Sequence, residues 1–257
     1  MLDSDDAAEV EPGQLGRVGF ESGSDVYEQA RPGYPDQAVS SLIEQAGIGR
    51  GTRVLDLAAG TGKITRQLVP FGPSCVAVEP STSMRRVFAR VVPDVPMVGG
   101  TAEAIPLTSH SVDSVVVAQA FHWFDAPIAL ADIARVLRPG GTLCLIWNER
   151  DESDPMVAEL VKISRWDRNM PYPVGKDFGA IVDASGRFGP VTRTRFRFVQ
   201  RLDRAAFVDQ VASRSYVAVL PAAERRDLLG QVAGFASLLD DPIFLPYITD
   251  LFCASVA

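Results

Sequence analysis

From residue 53 onward the chain alternates two patterns. Short, almost continuous apolar runs cover residues 53–58, 75–79, 95–98, 112–119 and 142–147. Between them, apolar residues recur every third or fourth position. The runs read as buried strands and the intervening stretches as amphipathic helices. Ile64, Leu68 and Val69 mark the helix after the first run. Ser81 is placed to cap the next, whose inner face is Met84, Val87, Phe88 and Val91, with a stop near Pro93. Asp125 caps a third, with Pro127 in its first turn and Ile128, Ala131, Ile133, Val136 and Leu137 as apolar positions. Pro139-Gly140-Gly141 is expected to end it. Ahead of the first strand, Pro35, Val39, Leu42, Ile43 and Ala46 have helical spacing, and Gly47 follows them. Strands apolar throughout and separated by helices imply a mostly parallel sheet covered on both faces, a doubly wound α/β fold.

After Asn148 the alternation weakens. Residues 151–190 read as a helical cap or insertion after strand five, with Trp166, Tyr172 and Phe178 among their aromatics. Residues 191–199 (VTRTRFRFV) place Arg193, Arg195 and Arg197 on one face and Thr194, Phe196 and Phe198 on the other, as in a half-solvated strand. Helices are expected near 204–213 and 221–239, and a last strand near 243–256. The organisation expected is a flexible tail over 1–22, then one domain over 23–257. Within it, 23–150 forms the ligand-binding core and 191–257 the C-terminal strands and helices.

Composition narrows the class. The 257 residues carry 25 Lys+Arg against 32 Asp+Glu, a net charge of -7, which disfavours binding to nucleic acid or an anionic membrane. The three cysteines, Cys75, Cys144 and Cys253, show no metal-ligand spacing and no disulfide framework. Residues 1–6 lack the basic and apolar stretches of a secretory leader, and no apolar run reaches the ~18 residues of a membrane span. A cytoplasmic protein without a metal is expected, monomeric or a homodimer.

The informative segment is VLDLAAGTGKIT, residues 54–65. A Gly-rich turn between strand and helix lets a ligand approach the backbone. Asp56 lies near the end of the first strand. Glu79 ends the second, 17 residues past Gly62, where an acid accepts hydrogen bonds from ribose hydroxyls. A dinucleotide loop wants a small third residue, as in G-x-G-x-x-G/A, but here the position is Thr65. An acid just before the turn suits a ligand bearing an amino group.

Together these motifs resemble a class I S-adenosylmethionine-dependent methyltransferase. The matching pieces are D-x-A-x-G-x-G (56–62), Glu79, A-E-x-I-P (102–106) and L-R-P-G-G (137–141). AQAFHWFD (118–125) and RPGYP (31–35) resemble the small-molecule, methyltransferase type 11 branch that includes trans-aconitate-methyltransferase-like proteins. The resemblance implies a Rossmann-like seven-stranded sheet, S-adenosylmethionine as cofactor with S-adenosylhomocysteine as product, and a small-molecule acceptor, carboxylate-bearing or partly apolar. It implies that Ala58, Gly60 and Gly62 meet the methionyl and ribose parts. Asp56 orders the loop or receives the ammonium, and Glu79 holds the ribose. Pro80, Met84, Ala102 and Glu103 border the adenine, Gln119 and Ala120 lie along the methionyl chain, and Arg31 and Tyr34 close the site. Ala58 and Ala59 depart from the glycine common in this loop, which makes the approach more crowded.

His122, after the fourth strand, is the candidate general base, because an imidazole near pKa 6.5 can take a proton at neutral pH. Its alternative role is to pack on Trp123. Phe121, Trp123 and Phe124 could offer a ring face to a sulfonium, one of the three being expected at the site. His110 reads as a surface residue and Asp113 as structural. The arginines at 193, 195 and 197 read as protection of an edge strand, with capture of a carboxylate as the alternative. Two other functions share this architecture: an NAD-dependent oxidoreductase, and a non-catalytic protein that binds the same cofactor.

Overall fold

A computed structural model describes residues 28–165 and 177–257. The expected tail, Trp166 and Tyr172 lie outside the described residues. Among the described residues seven strands form one sheet: β1 (Arg53–Leu57), β2 (Ser74–Val78), β3 (Met97–Val98), β4 (Val112–Ala118), β5 (Leu137–Arg150), β6 (Thr192–Leu202) and β7 (Ile243–Ser255). Their order is β3-β2-β1-β4-β5-β7-β6. β1 to β5 run parallel, and β7 runs antiparallel to both β5 and β6. The order reverses beside β1, so the carboxyl ends of β1 and β4 diverge there and leave a crevice.

Helices α1 (Asp36–Gln45), α2 (Lys63–Leu68), α3 (Thr82–Val91) and α4 (Ala126–Val136) cover the parallel half. Ser81 caps α3 by accepting from the Met84 N–H, and Asp125 caps α4 through Ile128. Met84, Val87 and Phe88 of α3 are buried, each such side chain contributing about 1.5–3 kcal/mol. The strand side chains alternate faces. Leu143, Leu145 and Trp147 of β5 join the α4 side, and Cys144 and Ile146 join α1 and α2.

One boundary differs from the sequence reading. α4 stops at Val136, and residues 137–141, expected as its end, already belong to β5. Leu137 is fully buried and pairs with Val112, and the register shifts before Ser114. Gly141 fits there because a Cβ would meet the Asp113 and Arg138 carbonyls at 2.9 Å.

The segment after strand five is shared between two packing units. α5 (Pro155–Ser164) packs with α7 (Arg204–Ala212), α8 (Ser215–Ala218) and α9 (Ala222–Ser237) around Phe207, Val217 and Val232. α6 (Phe178–Ala184) instead places Phe178 and Val182 in the main core. β6 is the sheet's edge. Arg193 and Arg195 both grip Asp250 of β7, with contacts of 2.9–3.1 Å. Burial opposes ionisation of Asp250, yet these hydrogen bonds hold its carboxyl below the ordinary range. Asp113 is structural as expected, accepting from the Arg53 N–H at 2.7 Å and from Arg138 at 2.7 Å. Among the described residues no helix is long and apolar enough to cross a membrane.

Candidate functional site

The crevice at the carboxyl ends of β1, β2 and β4 is a cleft of about 880 Å³ including its open mouth. Nine of the thirteen residues expected to hold the cofactor line it: Ala58, Gly60, Glu79, Pro80, Met84, Ala102, Glu103, Gln119 and Ala120. They come from the segments that follow four different strands, and the parallel register is what brings those segments to one edge.

The turn after β1 is shaped by its backbone. Ala58 (φ 57) and Gly60 (φ 57) are both left-handed. For alanine this conformation costs about 1–2 kcal/mol, so the crowding expected at Ala58 takes the form of backbone strain. A second non-glycine residue, Gln119 (φ 58), is left-handed at the end of the neighbouring β4, and it too faces the cleft. Strain held at two adjacent strand ends is characteristic of a functional edge. The Gln119 amide donates to the Asn148 carbonyl at 2.8 Å, which fixes it. At Gly60 an added Cβ would meet nothing within 4 Å, so its missing side chain leaves open space.

Glu79 is 6% exposed and held by one hydrogen bond at each oxygen. One carboxylate oxygen accepts from the Gly60 N–H at 2.9 Å and the other from the Ser81 N–H at 2.8 Å. Burial raises its pKa, while those two hydrogen bonds and the Arg85 charge oppose the rise. Each oxygen keeps a lone pair for a ligand hydroxyl. Arg85 clasps this loop by donating to the Glu79 and Pro80 carbonyls at 2.8 and 2.7 Å. Glu103 lines the cleft and also accepts from the Asp125 N–H at 3.0 Å, anchoring the start of α4.

Four expected residues lie away from the lining. Asp56 points to the opposite face of β1 from Leu57, toward α2. It is buried and accepts a hydrogen bond from the Thr65 hydroxyl. Burial pushes its carboxyl up to about 7, with the Thr65 hydrogen bond opposing and the Glu79 charge adding. That hydrogen bond ties it to α2 behind the loop, its other carboxylate oxygen is buried with no hydrogen-bond partner, and the residue lies off the cleft lining. Gly62 (φ 84) backs onto α3, where a Cβ would come within 2.8 Å of Phe88 and Val92. Its role is packing. Tyr34 is buried, and Gln67 brackets it by accepting from its N–H and donating to its carbonyl. Arg31 donates to the Ser213 carbonyl at 3.4 Å, and Asn148 holds the Gly33 carbonyl at 2.9 Å. Residues 31–34 are thus tied down beside the lining.

His122 also stands off the lining. It lies in the 3-10 turn Phe121–Trp123, with its ring 4.3 Å from that of Trp123 and 5.1 Å from that of Trp147. Trp123 and Phe124 face the cleft, whereas Phe121 is core, edge-on to Phe124 and Phe178. Leu57, Ser81, Gly100, Thr101 and Ala118 line the cleft without having been singled out. For Gly100 the signal was available: it follows a strand of a parallel sheet, where ligand loops lie. Among the described residues no cluster of His, Cys, Asp and Glu could hold a metal.

Comparison with known proteins bears on the family and the fold. Residues 55–145 match the family model described as a methyltransferase domain. An uncharacterized methyltransferase of Mycobacterium tuberculosis is 39% identical over 248 residues, covering 93% of this chain and 96% of that protein. A structure of a candidate Type II methyltransferase from Anaeromyxobacter dehalogenans superposes with a TM-score of 0.64 at 26% identity, covering 88% of this chain and 97% of that one. Phosphoethanolamine N-methyltransferase 2 of Haemonchus contortus, solved with phosphomonomethylethanolamine and S-adenosylhomocysteine, shares the fold. Its TM-score is 0.56 at 18% identity, covering 94% of this chain and 60% of that one.

Proposed function

We propose a reaction from one premise: the chain belongs to the methyltransferases, as a relative of near-equal length shows, and its motifs are those of the class I S-adenosylmethionine-dependent branch. In this reading the cleft at β1, β2 and β4 holds S-adenosylmethionine, and the enzyme passes a methyl group to an oxygen, nitrogen or carboxylate of a small-molecule acceptor.

The residues fit that cofactor. Glu79 is fixed by two backbone N–H groups and has acceptor capacity left for vicinal hydroxyls. Pro80, Met84 and Ala102 give an apolar slot for a purine, with the Glu103 carboxylate beside it to accept from an exocyclic amine. Gln119 and Ala120 border the space for the methionyl chain. Trp123 and Phe124 offer aromatic faces to a cation. When bound, the cofactor supplies a methyl carbon on a positively charged sulfur, already electrophilic.

The protein's work is then alignment. Proximity and orientation contribute up to ~7–11 kcal/mol in favourable systems. A carboxylate acceptor needs no base. For it, His122 acts through Trp123, holding the indole against the cleft. For a hydroxyl or amine acceptor His122 is the first candidate to take the proton. The rate–pH profile separates the two: a limb that disappears in His122→Ala supports the base, and a flat profile supports positioning.

The single observation that carries the reading is the Glu79–Gly60 hydrogen bond, which joins the acid of β2 to the glycine turn of β1 at the mouth of the cleft. Calorimetric titration tests it. S-adenosylhomocysteine is expected to bind the folded chain and NAD is not, and the reverse result would overturn the reading. Buried Thr65, hydrogen-bonded to Asp56 where a dinucleotide loop needs its last small residue, favours the methyl donor. Consumption of S-adenosylmethionine across an acceptor panel then separates an enzyme from a non-catalytic binder.

A further inference from the structure

Residues 99–111 join β3 to β4 through turns and one isolated bridge, Thr101 with Ala104. Thr101, Ala102 and Glu103 line the cleft, and Ile105 is buried in the main core. A buried backbone outside strands and helices must find its hydrogen-bond partners elsewhere. Here α4 supplies them. The Ile105 N–H donates to the Asp132 carboxylate at 2.6 Å, and the Ile105 carbonyl accepts from Arg135 at 3.0 Å. Arg135 also donates to the Leu107 carbonyl at 2.8 Å. Asp132 and Arg135 stand one turn apart on α4 and grip each other through two contacts, of 2.6 and 3.1 Å. The Arg135 hydrogen bond, aided by the Ile105 N–H, holds the Asp132 carboxyl below its ordinary range against burial.

The same helix reaches the turn from its other end. The N–H of Asp125, the N-cap of α4, donates to Glu103 at 3.0 Å. Glu103, Ile105 and Leu107 are thus all moored to α4, while Asp132 and Arg135 themselves stand off the cleft lining. Glu103 keeps acceptor capacity beyond the Asp125 contact. Whether that capacity meets a ligand depends on where the turn stands, because a hydrogen bond weakens steeply with misplacement. Groups that touch a ligand hold their geometry when a second set of groups fixes them. A purine with an exocyclic amine can donate to the Glu103 carboxylate, and the same purine with hydrogen there leaves it unpaired.

We propose that Asp132 and Arg135 are positioning residues of the cleft: through Ile105 and Leu107 they fix the turn that carries Ala102 and Glu103, and so set a preference for a purine bearing an exocyclic amine. The proposal rests on the S-adenosylmethionine reading of the cleft.

The test is calorimetric titration of the full chain with S-adenosylhomocysteine and with its 6-deamino analogue, in which hydrogen replaces the exocyclic amine. The parent prefers S-adenosylhomocysteine by about tenfold or more, and folded Asp132→Ala and Arg135→Ala narrow that preference to about threefold or less. Arg135→Lys, which keeps a donor for the carbonyls, falls between. Glu103→Ala narrows the preference as well, and Arg135→Ala added to it narrows it no further, because both act through one group. If Asp132→Ala does not fold, Arg135→Ala, whose side chain is 37% exposed, carries the same expectation. A preference as large in Arg135→Ala as in the parent, whatever the loss of stability, overturns the proposal. So does a parent that binds both compounds equally. In either case S-adenosylhomocysteine still binds and the cofactor reading stands. A parent that binds neither compound sinks that reading, and the proposal with it.

Discussion

Asp56 and Glu79 lie close enough to feel each other's charge, yet burial gives them different work. The Asp56 carboxyl, raised to about 7, favours the folded state when protonated. Its contribution is complete below its ordinary value of 3.8 and is lost as pH rises to about 7. Replacing it removes that dependence. Asp56→Asn is expected to be about 1–3 kcal/mol more stable than the parent at pH 8, with a flatter melting temperature between pH 5 and 8. Thermal melts across that range check it, and an unchanged slope would mean that Asp56 titrates normally. Glu79 holds two N–H groups at the cleft, so Glu79→Ala strips the turn of an anchor and the ligand of an acceptor. A loss of about 1–3 kcal/mol in S-adenosylhomocysteine affinity is expected, roughly ten- to hundredfold by calorimetry. Unchanged affinity would remove Glu79 from the site. Both acids were visible in the sequence. Which of them faces the cleft was not, because that depends on the face of β1 to which Asp56 points.

The turn from β1 to α2 shows that two glycines two residues apart do unlike jobs. Gly60 needs its left-handed backbone and leaves open space, while Gly62 also needs the absence of a side chain against Phe88 of α3 and Val92 just past its end. Gly62→Ala is expected to lose about 2–4 kcal/mol and Gly60→Ala about 1 kcal/mol, measured by urea unfolding. Equal losses would refute the distinction. The motif spacing showed both glycines but not the packing of α3 behind one of them. At the other edge of the sheet, the alternation in residues 191–199 disclosed a half-solvated strand, and the arginine pair found its acid on β7. Asp250→Ala is expected to lose about 1–2 kcal/mol, because both arginines are part-exposed. The depressed Asp250 pKa makes that contribution present above its ordinary value and lost as pH falls through the lower, folded one. The parent and the variant should therefore converge in stability in strong acid.

For the molecule as a whole, the cleft joins loops that are remote in sequence, so a ligand held there stabilises the entire sheet edge. S-adenosylhomocysteine at a hundred times its dissociation constant is expected to add about 2.7 kcal/mol, read as a rise in melting temperature that Glu79→Ala diminishes. The order of strands and helices through residue 150 was legible in the sequence because buried parallel strands leave near-continuous apolar runs, and caps such as Ser81 and Asp125 are local. The Gly-rich turn and the acids at the strand ends were legible for the same reason: their chemistry is written within a few neighbouring residues. The helix-to-strand boundary at Leu137 was not, since Pro and Gly signal a break without saying what resumes after it. Nor could the sequence tell that α5 joins α7, α8 and α9 while α6 joins the main core, or that His122 packs between Trp123 and Trp147. Local pattern determined which elements form and which chemistry the strand ends carry. Only the tertiary structure decided which side chains meet, because contacts between residues more than a hundred positions apart depend on strand order and face, and no local spacing encodes either.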